Sequence, residues 1–156
     1  ENRDRCSTQA GDTMITAMVR NQLAASPTIT ALVGARVYVD GLPTTPELPA
    51  ISVHPVSRVP DKEVGKGYVS RVQISCWSNP PVSGGVRSPG EVETVAAAVI
   101  AVMHKPRMNM VPERWTLGSV SYDITTRQVT GGVRRIEDPM GWYHVPVDVQ
   151  IIYREI

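Results

Sequence analysis

Between Trp142 and Tyr153 the chain alternates: Tyr143, Val145, Val147, Val149, Ile151 and Tyr153 fall on one side of an extended strand, and His144, Pro146, Asp148 and Gln150 on the other. A helix would scatter those apolar residues around its circumference, so the period of two commits the segment to a strand with one buried and one wet face. Tyr68 to Trp77 repeats the pattern, with Tyr68, Val72, Ile74 and Cys76 set against Val69, Arg71, Gln73 and Ser75. Ala50 to Val56, Trp115 to Tyr122 and Thr125 to Val133 read as further strands, and Val37 to Val39 as a short one. Pro146 points to an edge or a bulge in the last strand, because proline cannot donate to a ladder. A sheet of this kind must bury its apolar side against another layer.

Two apolar helical segments can supply that layer. Ile15, Met18, Val19 and Leu23 recur at three- and four-residue spacing behind Asp12 as a candidate N-cap, and Ser26-Pro27 stops the run. A further short turn, Thr28 to Val33, ends at Gly34, the residue best suited to a left-handed cap. Ser88-Pro89-Gly90-Glu91 is a capping-box pattern opening a second main helix through Val92 to Met103 and on to about His104, before Pro106. The order helix, strands, helix, strands predicts a single α+β domain over residues 13–156, with a largely antiparallel or mixed β-sheet and two main helices packed on one face. Residues 1–12 are polar without periodicity and read as a flexible extension. Leu42 to Pro49, Arg58 to Lys66 and Asn79 to Gly90 read as surface segments, the second an exposed hairpin or a longer projecting loop of about ten residues, since it mixes charges with Pro60 and Gly65.

Several function classes find no support in the residues. Lys and Arg number 16 against 15 Asp and Glu, so no general field draws in a polyanion. No apolar stretch is long enough to span a membrane, and the beginning of the sequence lacks a signal-peptide layout. Cys6 and Cys76 are too differently placed to suggest a disulfide, and both read as free thiols. His54, His104 and His144 fall in different segments without a carboxylate at triad or metal-site spacing. Gly65-Lys66-Gly67 and Gly84-Gly85 lack the layout of a phosphate-binding loop and read as turns. Asp61 and Glu63 stand beside Lys62 and Lys66, which makes them a solvated charge run and not a catalytic pair. The expectation is a protein without enzymatic activity, cofactor or metal.

The segment Leu32-Val33-Gly34-Ala35-Arg36-Val37-Tyr38, the proline-led strand from Leu48, the long strand ending in Cys76-Trp77-Ser78 and the small-residue helix after a Pro/Gly loop come in a characteristic order. In that order the chain resembles the tail-terminator, or tail-completion, family of long-tailed bacteriophages. The resemblance covers Thr13 to Met103 and implies a structural virion protein, made in the host cytoplasm and placed at the head-proximal end of the tail. It implies a homo-oligomeric ring, a hexamer in the family. Such a ring caps the tail tube protein, stops its polymerisation and joins the head connector, while DNA passes through the lumen without sequence-specific binding. A head-completion or neck protein on the connector side is the alternative. A small-ligand or nucleic-acid binding module is the alternative from another class. For contacts with a neighbouring copy, the tube or the connector, the candidates are Arg58, Asp61, Lys62, Glu63 and Lys66 in the projecting loop, Arg87 in the Pro/Gly loop, and Trp77, an aromatic type enriched at interface hot spots.

Overall fold

The structure is a computed structural model that describes residues 3–62, 67–79, 90–105, 112–131, 136–137 and 142–156. Its elements are α1 (Arg3–Ala24), α2 (Pro27–Val33), β1 (Val37–Val39), β2 (Ala50–Asp61), β3 (Gly67–Ser78), α3 (Gly90–Met103), β4 (Glu113–Leu117), β5 (Val120–Gly131), β6 (Ile136–Glu137) and β7 (Tyr143–Glu155). The strands form one mixed sheet in the order β1-β2-β3-β7-β5-β4, with β6 also paired to β7. β1 runs parallel to β2, and every other strand pair is antiparallel.

The alternation read from the sequence sets the layers. Register places Ile51 beside Cys76 and Val145, and Val53 beside Ile74 and Val147, so two fully buried apolar rows cross β2, β3 and β7. Ile15, Met18 and Leu23 of α1, Ile29 and Val33 of α2, and Val95, Val99 and Met103 of α3 close over these rows in one core. All three helices therefore lie on one face, and the opposite face has no helix over it among the described residues. This is the α+β architecture that the helix and strand patterns predict. The alanines of α3 let its backbone come close to the sheet; Ala96 is buried there among Val92, Val95 and Val99.

Five details depart from the sequence reading. α1 begins at Arg3, well ahead of Thr13, and Asp12 lies inside the helix and does not cap it. Once the turns from Ile15 onward are packed, each residue added upstream extends an existing hydrogen-bond ladder, which costs far less than nucleation. β2 continues through Arg58 to Asp61, so the loop expected over Arg58 to Lys66 is shorter by those residues. The strand expected at Trp115 to Tyr122 is a hairpin: Leu117 pairs with Val120 across Gly118-Ser119, and Gly118 has φ 61, the positive value the first position of a type II′ turn requires. β6 carries on the line of β5 along β7, pairing Ile136 with His144 where Gly131 pairs with Asp148. Pro146 therefore sits inside the sheet and not on an edge strand. It pairs with Ser75 on the β3 side and falls between those two stretches on the other, where a missing N–H breaks no described rung.

Candidate interaction surfaces

Residues that point away from the helices form a broad outer face. Across its middle run His54, Gln73 and Asp148, then Ser57, Arg71, Gln150 and Gln128. Towards the β2–β3 turn lies an apolar row of Val59, Val69 and Ile152, and beyond it Asp61, Arg154, Asp123 and Arg114. Val56, the extra residue of a bulge between Pro55 and Ser57, is 52% exposed and Val59 54%. They are two of the three large apolar side chains exposed among the described residues. Apolar side chains rimmed by polar ones are a common composition for a protein contact. Arg71, Arg114 and Arg154 on this face are matched by Asp61, Asp123 and Asp148, so the described face carries no basic stripe for a nucleic-acid backbone. Asp123 is nearly buried and holds two of those arginines, Arg114 at 3.2 Å and Arg154 at 3.5 Å.

At the other end of the outer face, three rings meet. Trp77 stacks on His144 with centroids 4.1 Å apart and planes 4° from parallel, and Trp142 stands edge-on to it at 6.3 Å. Adjacent strands bring Trp77 and His144 together because they are register partners. The Trp77 indole N–H donates to Ser52 Oγ at 3.0 Å, and Ser52 Oγ also shares a hydrogen bond with His54 Nε2 at 3.0 Å. That bond orients the indole ring over the sheet, so Ser52 is fully buried beneath it while Trp77 stays half-buried. Trp77 thus belongs to the outer face and does not cap the core. The Ser52 and His54 pair has the contact distance of a nucleophile and its base, yet a hydroxyl that deep cannot meet a substrate, and no carboxylate is hydrogen-bonded to His54 among the described residues.

The inward side beyond the helices is closed by a cluster of tyrosines around one arginine. Arg58 lays its guanidinium over the Tyr68 ring, 3.7 Å from the centroid, and donates from Nε to Tyr153 Oη at 3.0 Å and from Nη2 to Glu155 Oε1 at 3.1 Å. Tyr153 also shares a 3.0 Å hydrogen bond with Ser70 and lies against Tyr68 and Tyr122. Burial alone would lower the Arg58 pKa, but the surrounding Tyr153, Tyr122 and Tyr68 hydroxyls raise it. Burial also pushes Tyr122 up to about 12. A second buried arginine, Arg127, is 2% exposed, donates to Glu113 Oε2 at 2.9 Å and stands 5.2 Å from the Trp115 ring. Burial lowers its pKa and Glu113 offsets part of that. Glu113 accepts from Trp115 Nε1 as well, at 3.0 Å, so this group is a structural knot under the sheet.

The residues expected to make contacts fare differently. Trp77 is at the surface with unforeseen neighbours, Trp142 and His144. Arg58 lies on a strand and not on a projecting loop, and its side chain reaches β7, because β2 runs past it and turns it inward. Asp61 ends β2 on the outer face, and Lys62 follows it, exposed. Glu63, Lys66 and Arg87 lie outside the described residues. The remaining histidine, His104, accepts from the Val129 N–H through Nδ1 at 3.2 Å, and no described group of His, Cys, Asp and Glu could hold a metal ion. Cys76 is a free, buried thiol that burial pushes up to about 12, which makes it an inert member of the core. Val56 closes the strand read from the sequence and Val59 falls in the segment read as a loop, so neither was singled out as an exposed apolar residue.

A model of the family described as tail completion protein gp17 matches residues 17–154 of the chain. Among solved structures, a chain from the virion of a native gene transfer agent particle is similar in fold, with a TM-score of 0.62 and 22% sequence identity over 90% of this chain and 94% of that one. No curated protein matches the sequence.

Proposed function

The chain belongs to the tail completion protein gp17 family of phage tail structural proteins, and from that membership we propose that it assembles as a ring on the end of a tail tube, stops the tube from growing and offers the head connector its docking face. The observation that carries this reading is a family match running from α1 to the end of β7. A closed ring joins two unlike surfaces of each subunit, and the helical layer and the outer sheet face are unlike in this sense. Capping needs no chemistry: the ring covers the last tube ring and presents above it a surface to which no further tube subunit fits. The ring contains six copies, and DNA crosses its lumen without sequence-specific contact, in keeping with the balanced charges of the outer face. Its contacts with neighbouring copies, tube and connector draw on Trp77, Asp61, Lys62 and the segments carrying Glu63, Lys66 and Arg87, to which the structure adds Val56, Val59 and Trp142 as surface candidates. The polar N-terminal turns of α1 act as an arm that settles on a neighbour.

The test is negative-stain electron microscopy of the chain with and without its tail-tube protein. Rings on tube ends and tubes of limited length are the expected result. Unlimited tubes and no ring, together with binding to an isolated head connector, would transfer the protein to the neck.

A further inference from the structure

The distal part of β2, from Val56 to Asp61, has β3 on one side and, among the described residues, no strand on the other, since β1 reaches only Ile51 to Val53. A bulge interrupts the ladder between Pro55 and Ser57, at the point where the cover of β1 ends. Pro55 and Pro60 add no N–H of their own. An edge segment held by one interrupted ladder opens at low free-energy cost unless something else ties it down.

The Arg58 side chain does so. Arg58 crosses the whole width of β3 and lands on β7: its guanidinium passes over Tyr68 of β3, and its two donor nitrogens end on Tyr153 and Glu155 of β7. The side chain is 7% exposed although its carboxylate partner is 47% exposed, so the bridge is covered from solvent for most of its length. Planar stacking and a forked pair of donors act together here, a geometry a lysine ammonium cannot reproduce.

We propose that Arg58 is a strap that fastens the outer half of β2 to the end of β7 and holds the β2–β3 hairpin as a preformed arm. The strap runs on the inward side, which leaves Val56 and Val59 facing outwards for contact. Its value to assembly rests on the reading, made above, that this hairpin meets another subunit: an arm ordered beforehand loses less entropy on docking.

Hydrogen exchange with mass spectrometry on the whole chain tests the strap. In Arg58→Met, amides of Val56 to Asp61 and of Tyr68 to Ser70 should exchange about tenfold faster while α3 keeps its protection. Glu155→Gln, which removes the ion pair but keeps the Tyr153 bond, should give a smaller rise in the same segment, and Arg58→Lys should not restore the wild-type rate. Unchanged exchange in distal β2, or a rise shared equally by α3, would overturn the proposal. Ring formation by the same variants separates the two ideas: faster exchange with undiminished rings keeps the strap and removes the hairpin from the subunit contact.

Discussion

The two halves of β2 are built from similar residues and held by different means. From Ala50 to Val53 the strand has β1 on one side, β3 on the other and helices above, and all four residues are buried on whichever face they occupy. From Val56 onward it has one strand partner among the described residues, two exposed valines and an arginine strap. Apolar burial holds the first half, and a few directional contacts hold the second. The first half therefore opens only with the whole domain, and the second can open alone.

The largest expected effect sets the halves apart by pH. Burial holds Cys76, the register partner of Ile51, and Tyr122, in the distal cluster, near 12, above ordinary values of 9.0 and 10.0. Both groups stay protonated in the folded chain and ionise more readily when unfolded, so their stability is intact below pH 9.0 and disappears as pH rises through about 12. The unfolding free energy from urea titrations should fall steadily across that range, and Cys76→Ala should flatten the first part of the fall; a flat profile would contradict the buried placement of both groups. Ile51→Ala should cost about 3 kcal/mol for an unfilled cavity in the core. Trp77→Ala, which strips the His144 stack and leaves Ser52 without the indole donor, should cost about 2 kcal/mol. A loss under half that would mean the ring is held for contact with a partner and not for stability. Val59→Thr in the outer half should change stability by less than about 0.5 kcal/mol by denaturant unfolding. If it costs as much as Ile51→Ala, the contrast between the halves collapses.

How far the sequence foretold this depends on whether neighbours in space are neighbours in pattern. The alternation of Tyr143 to Tyr153 and the helical spacing of Ile15 to Leu23 fix which side faces in, because burial acts on each residue separately. The hairpin at Gly118-Ser119 carried a turn signal, and the apolar residues change phase there, from Trp115 and Leu117 to Val120 and Tyr122, a shift that reading the segment as one strand passed over. The outer half of β2 was lost because Arg58 to Asp61 mixes charges with Pro60, a composition that reads as hairpin or loop, and the inserted Val56 shifts the phase that would have revealed a strand. Arg58 read as a solvent-facing charge, since its partners Tyr153 and Glu155 are about a hundred positions away and only register brings them close. Trp77 was picked out for its residue type, while its pairing with His144 and Trp142 needed the alignment of β3 with β7. The knot of Glu113, Trp115 and Arg127 was missed for the same reason: an arginine in a strand pattern reads as exposed until a buried acceptor is seen beside it.

β7 lies in the middle of the sheet and comes last among its strands in the chain. During synthesis β2 and β3 can zip locally, and β4 can fold back on β5, but among the described residues no strand pairing joins β3 to β5 until residues 143–155 have emerged. Until then β3 shows the nascent chain a bare edge along its full length, open to mispairing with any extended segment nearby. The strand that completes the domain is thus also the one that ends its most aggregation-prone interval.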